Sequence, residues 1–322
     1  MLKRSFLRKY PELNPTDIKT YLASDRASKV KTGELAVPPA RGMSVREFLQ
    51  GLPDILRARD LLDVARDIVQ AKKGKRPVIA MFGGHVIKCG CAPVLIDLAE
   101  KGFISCFASN GAAIIHDAEL AAWGQTSEDV AAQLDDGSFG MARDTAEILN
   151  TAAKAAREKG LGFGQSVGCL LNKRGYPHIN NSIAAASCRM KLPYTMHVAI
   201  GTDIVHQHPD ADGAAIGEAS LRDFRIFAAA VSGLGEGGVL LNLGSAVIMP
   251  EVFLKALSLA RNLGYQVRNF TAVNMDMIQH YRPSENVVRR PVSGGGRGYS
   301  ITGHHEIMIP LLAAAVCEFA DE

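Results

Sequence analysis

Of the nine histidines in this chain, His85, His116, His206, His208, His304 and His305 fall beside glycines and carboxylates. An imidazole titrates near neutrality, so these residues can carry protons at physiological pH. Imidazoles with carboxylates are also the donor set of zinc, iron and manganese sites. In an extended segment His206-Gln207-His208 would place both rings on one face. Asp203, Asp210 and Asp212 lie close by, and Glu306 follows His304-His305. No H-E-x-x-H motif is present, and Cys89-Gly90-Cys91 lacks the second pair that a zinc site would use. Two readings stay open: a metal centre, or loop histidines that bond to backbone or to an anionic ligand.

Other side chains offer further chemistry, each with a plainer alternative. Lys88 follows a glycine pair and can pair with phosphate, act as an amine, or stay solvated. Arg282, Arg289, Arg290 and Arg297 can clamp phosphate or carboxylate, or form a charged surface. The run from Ser293 to Gly298 can wrap a phosphate, act as a lid, or simply connect. Cys89 can be a thiol activated at a helix start, or apolar filler. The single tryptophan, Trp123, is expected to pack.

The elements that must position these groups follow from the hydrophobic pattern. Ser44 with Glu47 predicts a capping box, followed by an apolar periodicity that Pro53 should break into two helices or a kink. Beyond residue 75, short apolar strands alternate with helices: strands at "RPVIAMFGG", "FISCFASNGA", "YTMHVAIG", "GGVLLNLG" and "FTAVNMDM", and a closing helix at "EIMIPLLAAAVCEFA". Thr126 or Ser127 is expected to cap a helix through "EDVAAQLDDG". Strands that are apolar throughout imply a mostly parallel sheet covered on both faces, an α/β three-layer, doubly wound, Rossmann-like fold. The division is residues 1–74, an N-terminal arm with helices, and 75–322, the Rossmann-like unit.

In such a sheet ligands bind beyond the strand C-termini. Here those ends are Gly83-Gly84-His85, Ser109-Asn110-Gly111, Gly201-Thr202-Asp203, Gly244-Ser245 and Asn274-Met275-Asp276. The small residues are expected to let a ligand approach the backbone. None of these turns is a G-x-G-x-x-G or Walker A loop.

The chain has 322 residues and 47% hydrophobic content, enough for a large core, and a net charge of +3 that gives no field for nucleic acid. The basic arm, with Lys3, Arg4, Arg8 and Lys9, is expected to be solvated surface or a subunit contact. No secretory signal and no apolar run long enough to span a membrane is visible. Six cysteines without a signal suggest reduced, buried thiols and a cytoplasmic protein.

Taken in order, these strand ends resemble deoxyhypusine synthase. The segments that carry the resemblance are "MFGGHVIKCG", "FASNGAAIIHD", "HVAIGTDI", "VLLNLGSAVIMP", "RPSENV" and "GHHEIMIPLLAAAV", spread over roughly residues 75–320. That family uses NAD to oxidise spermidine, holds the aminobutyl group as a lysine imine, and assembles as tetramers with sites between subunits. The resemblance places Asp203 on the acidic residue that holds the amine, Glu285 on an active-site glutamate, and Asp117 on the aspartate after the glycine turn. It places Asn110 and Gly111 on the turn that approaches NAD, and with the other strand ends and His304 the expected cofactor contacts are Gly83, Gly84, His85, Ser109, Asn110, Gly111, Gly244, Ser245, Asp276 and His304. The departures are chemical. Where the family carries Ser-Trp-Gly-Lys, this chain has Val288, Arg289, Arg290 and Pro291. Arginine and proline cannot form the imine. His116 and His304 replace family carboxylates.

The expectation is therefore a deoxyhypusine-synthase-like enzyme of unknown substrate, not a true deoxyhypusine synthase, that binds NAD or a related ligand. Asp203 and Glu285 would hold the substrate, and His116 with Asp117, or His206, would move protons. The alternatives are a metal-dependent hydrolase or lyase and a non-catalytic ligand-binding or assembly protein. The expected partners are a small-molecule ligand and further copies of the chain, with no nucleic acid and no membrane. Asn110, Asp203 and Glu285 should share one pocket.

Overall fold

Ser44 starts the first helix as its sequence pattern requires. In the computed structural model, which describes residues 12–320, the Glu47 amide donates to the Ser44 hydroxyl at 3.2 Å, and the Ser44 amide donates to the Glu47 carboxylate at 2.7 Å. This box opens α1 (Val45–Gln50). Pro53 ends that run, because proline supplies no amide to a helix ladder, and α2 (Leu56–Lys73) starts beyond it. Residues 12–44 run along the surface with three single 3-10 turns. Lys3, Arg4, Arg8 and Lys9 lie outside the described residues.

The alternating part follows. It comprises β1 (Val78–Phe82), α3 (Gly84–Lys88), α4 (Ala92–Glu100), β2 (Cys106–Asn110), α5 (Gly111–Trp123), α6 (Val130–Asp136), α7 (Arg143–Lys159), α8 (Phe163–Arg174) and α9 (Ile183–Met190). Next come β3 (Tyr194–His197), α10 (Gly213–Ser232), β4 (Val239–Leu243), α11 (Ile248–Asn262) and β5 (Phe270–Asp276). The one-turn α12 (Tyr281–Pro283) runs into a π-helical turn, Ser284–Arg289, before β6 (Gly296–Thr302) and α13 (His305–Phe319). The six strands form one sheet in the order β3-β2-β1-β4-β5-β6, and every pairing is parallel. The order reverses between β1 and β4, the switch point at which open α/β sheets leave a crevice.

Successive strand side chains point to opposite faces. Ala80 and Phe82 pack into the core shared with α2, α5 and α13, while Ile79 and Met81 join Phe227 of α10 and Phe253 of α11 on the other face. Each fully buried side chain of this size contributes about 1.5–3 kcal/mol. That makes three layers, as the apolar strands require. Val64, Ala65 and Ile68 of α2 belong to the same core as β1. Among the described residues no helix is long and apolar enough to cross a membrane.

Two local expectations are corrected. The cap of α6 is Asp129, whose carboxylate accepts from the Ala132 amide at 3.2 Å, not Thr126 or Ser127. The glycine run does not end as a loose connection: from Gly296 onward it is the sixth strand, paired with β5 from Phe270↔Gly296 to Asp276↔Thr302. A Cβ on Gly296 would overlap the Phe270 carbonyl, and one on Gly298 the Val288 carbonyl, so close backbone approach requires glycine at both.

Candidate functional site

The N-terminus of α5 is the best-defined part of the strand-end rim. Asn110, the last residue of β2, turns its side chain back to accept from the Ala113 amide at 3.2 Å, a helix cap. Gly111 is then the first helical residue. A Cβ there would overlap the carboxylate of Asp203, so only glycine lets that side chain lie against the helix start. Asp203 reaches this position from the turn after β3, where Gly201 has φ 93°. Asp203 is 7% exposed, and its Oδ2 is buried without a hydrogen-bond partner. Burial pushes its carboxyl up to about 6, against a smaller opposing pull from Thr202.

His116 stands on the same helix. Its Nδ1 is 2.7 Å from the Thr126 hydroxyl, which donates to Glu119 Oε2 at 2.5 Å. Because the Thr126 proton is committed to Glu119, His116 Nδ1 must be the donor to Thr126. The neutral ring therefore carries its proton on Nδ1 and leaves Nε2 as a proton acceptor. Thr145 also donates to Glu119, at 2.9 Å. Burial opposes ionisation of Glu119, but the His116 ring 3.8 Å away and the bonds from Thr126 and Thr145 hold its carboxyl below the usual range. Lys88, His116, Glu119, Ser127, Thr202 and Asp203 line one pocket of about 210 Å³, with apolar walls from α5 and α6. It contains a proton acceptor, a carboxyl poised near neutrality and an ammonium group. Glu119 and Thr126 were missed in the sequence; the available signal was the i, i+3 pair His116 and Glu119, which a helix places on one face.

The second part of the rim is the switch point. A Cβ on Gly83 would lie 2.5 Å from the Gly244 carbonyl, and one on Gly244 2.5 Å from His305 Nε2. A Cβ on Gly84 would meet His116 and Ala112 at 3.2 and 3.3 Å. In the direction of a side chain, protein atoms take the space at all three positions, so these glycines bring the loops together. His305 is 1% exposed, and neither ring nitrogen has a hydrogen-bond partner. The His85 ring stands 5.9 Å away, and Asp276 Oδ1 lies 3.8 Å from His305 Nε2. Burial lowers the pKa of His305. Asp276 accepts from the Met277 amide at 2.7 Å, and Ser245 Oγ from the Met249 amide at 3.2 Å. Asn242 braces the turn by donating to the Ser245 carbonyl at 2.9 Å and to Asn274 at 2.7 Å.

Several candidates take other roles. Asp117 is buried and faces inward; it accepts from the Ser182 hydroxyl at 2.5 Å and from the Ile183 and Ala184 amides at 2.7 and 3.2 Å. It anchors the start of α9 and cannot assist His116. His304 is exposed, 3.8 Å from Glu306, and the inward residue is its neighbour His305. Ser109 turns to Tyr194 at 2.8 Å, within the sheet. His206 and His208 do not share an extended face: they sit in and after a 3-10 turn. His206 Nδ1 accepts from the Gly201 and Asp203 amides at 3.2 and 3.3 Å, and His208 bonds to the Gly140 carbonyl at 2.9 Å. His206 Nε2 is 3.9 Å from Asp203 Oδ2, beyond hydrogen-bond range. Among the described residues no group of three or more His, Cys, Asp or Glu is placed to hold a metal ion.

Glu285 is not brought to the Asp203 pocket. Arg289 Nε donates to both its oxygens at 2.8 and 2.7 Å, Arg290 Nε lies 3.3 Å away, and the bond from Arg289 holds its carboxyl below the usual range. Of the remaining arginines, Arg282 pairs with Glu251 at 3.4 Å and Arg297 with Asp67. No phosphate clamp forms from the four. Cys89 is half-buried, and burial raises its thiol pKa, the opposite of activation. Trp123 is 41% exposed rather than packed.

No protein-family model matches the sequence, and no curated protein matches it. Solved structures do match, at low identity. A conserved LOR/SDH-type protein from Methanococcus maripaludis S2 is 15% identical with a TM-score of 0.51, covering 82% of this chain and 71% of that one. AgrE, in a ternary complex with ornithine and NAD+, is 12% identical with a TM-score of 0.53; the match covers 81% of this chain but only 33% of AgrE. A protein from Entamoeba histolytica assigned as a deoxyhypusine synthase is 12% identical over 85% of this chain and 93% of that one, at a TM-score of 0.46, which adds no weight. The first two likenesses show the fold, a Rossmann-like α/β architecture with a parallel sheet.

Proposed function

We propose that this chain is an enzyme that binds NAD or a related dinucleotide across the ends of β1 and β4 and acts on a small substrate in the pocket of Asp203 and His116. The observation that carries this reading is Asp203 Oδ2, a buried carboxylate oxygen without a partner, on a group raised to about 6. A folded protein seldom leaves a buried carboxylate oxygen unpaired, and a ligand or a bound water completes it.

At the switch point the support for a dinucleotide is His305, buried with both ring nitrogens unpartnered, and His85 beside it. The turns at Gly84 and Gly244-Ser245 form the rim. AgrE, a third of which matches this chain, binds NAD+. When bound, NAD supplies a hydride acceptor. Asp203 pairs with a cationic or hydroxyl group of the substrate or takes up its proton. His116 accepts a proton at Nε2, and Glu119, acting through Thr126, steadies the imidazolium that results. Lys88 supplies a countercharge. Imine transfer at the family's lysine position is closed to this chain, since Pro291 stands there without a side-chain amine, and Arg289 and Arg290 neutralise Glu285. Exposed Leu13, Ile18, Tyr21 and Leu22 on the arm favour assembly with further copies.

A thermal-shift series with NAD+, NADH and polyamines tests this reading. A dinucleotide at a hundred times its Kd should add about 2.7 kcal/mol to stability and raise the melting temperature. No shift with either dinucleotide at millimolar concentration refutes it.

A further inference from the structure

Six thiols were expected to be buried. Among them Cys91 and Cys106 are, whereas Cys89, Cys169, Cys188 and Cys317 are partly exposed. Cys169 on α8 and Cys188 on α9 face each other with their sulfurs 2.7 Å apart. Neither lines the Asp203 pocket.

We infer that Cys169 and Cys188 are a covalent modification site that closes to an intrachain disulfide with a low-molecular-weight disulfide as oxidant. The two helices are held in the register the bond needs. Beside Cys169 stands Gly168, where a Cβ would overlap the Ala184 carbonyl and lie 3.1 Å from Cys188 Cβ, so the helix backbones touch at this point. One turn on, Asn172 donates to the Ala185 carbonyl at 2.9 Å and accepts from Arg189 at 3.1 Å. The start of α9 is fixed by Asp117 through the Ile183 amide at 2.7 Å. Disulfide formation demands adjacent, aligned Cβ atoms, and fixed neighbouring helices provide that without backbone movement. The oxidant has a way in: a cleft of about 240 Å³ reaches Cys188, with Gln165 and Lys191 on its wall.

The chemistry balances with oxidised glutathione. The Cys188 thiolate attacks one glutathione sulfur, the glutathione disulfide bond breaks, and one glutathione thiolate leaves. The Cys169 thiolate then attacks Cys188 Sγ, forms the Cys169–Cys188 bond and expels the second glutathione. Two electrons and two protons pass from the protein thiols to glutathione. The bond would tie α8 to α9 across the segment that anchors α5 through Asp117.

The test incubates the full chain with oxidised glutathione, denatures it, alkylates free thiols and measures intact mass and cross-linked peptides. The expected result is loss of two hydrogens, two fewer alkylated thiols, and one peptide pair joining Cys169 to Cys188. Cys169→Ser should instead retain a glutathione adduct on Cys188. Oxidised protein should melt higher than reduced protein, and Cys169→Ser should show no such rise. Six alkylatable thiols after treatment, a glutathione adduct that persists on the unaltered chain, or a different cysteine pair would overturn the inference.

Discussion

Asp203→Asn is expected to make the protein more stable at neutral pH while it disables the pocket. Asp203 is almost fully buried, and its carboxyl rises from the usual 3.8 to about 6. The folded state therefore binds this proton more tightly than the unfolded chain does. As pH rises from about 4 to about 6, folding takes up a proton, and stability falls through that window. Below it both states are protonated and the group costs nothing. Above it the whole cost is present: about two pKa units at about 1.36 kcal/mol each, or roughly 3 kcal/mol. Asparagine removes the charge at nearly the same volume, but its amide brings hydrogens that need partners, which takes back part of the gain. The net expectation is a stabilisation of about 1–3 kcal/mol at about pH 8 that shrinks to nothing near pH 4. Asp117 and Asp223 are also raised, to about 6 and about 7, but both proteins contain them, so they cancel in the difference. Urea unfolding of the parent and the variant at both pH values measures it. A variant less stable than the parent at pH 8, or a difference independent of pH, would show that the carboxylate has a structural partner and refute the reasoning.

Gly111→Ala forces a Cβ into the Asp203 carboxylate and should cost about 1–3 kcal/mol in urea unfolding; adding Asp203→Ala should restore most of it, and a cycle with no coupling would contradict the contact. Asp117→Ala leaves the Ser182 hydroxyl and the Ile183 and Ala184 amides without their acceptor, so a loss of about 3 kcal/mol or more in unfolding free energy is expected, and a neutral result would remove its anchoring role. Thr126→Val should release the His116 tautomer: ¹⁵N spectra of the parent should show His116 protonated on Nδ1, and the variant a mixture, whereas an Nε2-protonated parent would break the relay from Glu119.

The sheet was legible because its strands are apolar throughout and end in small residues. β1 through β5 follow directly from that pattern. β6 was hidden because its first residues are glycines, which it needs to pass close to Phe270 and Val288 but which carry no strand signature. The site was legible in part. Asn110, Gly111, His116 and Asp203 lie on strand ends that the topology brings together, so naming those ends named the pocket. Glu285 was misplaced because segment order cannot show that Arg289 and Arg290 turn onto it. The resemblance put His304 on a family aspartate, but His304 is the exposed residue before α13, while His305, the first helical residue, is buried. Asp117 looked catalytic because a buried carboxylate anchoring a distant helix has no local signal. Its partners lie 65 to 67 residues away.

On the proposed reading, NAD completes the missing contacts of His305 at the ends of β1 and β4, and a small substrate completes that of Asp203 beside it. Calorimetric titration of the full chain, of His305→Ala and of a remote control, His178→Ala, with NAD+ tests it most directly. The account predicts saturable binding to the parent and the control, and binding weakened at least about tenfold by His305→Ala, about 1.4 kcal/mol. Binding by all three proteins with equal affinity, or by none, would contradict it.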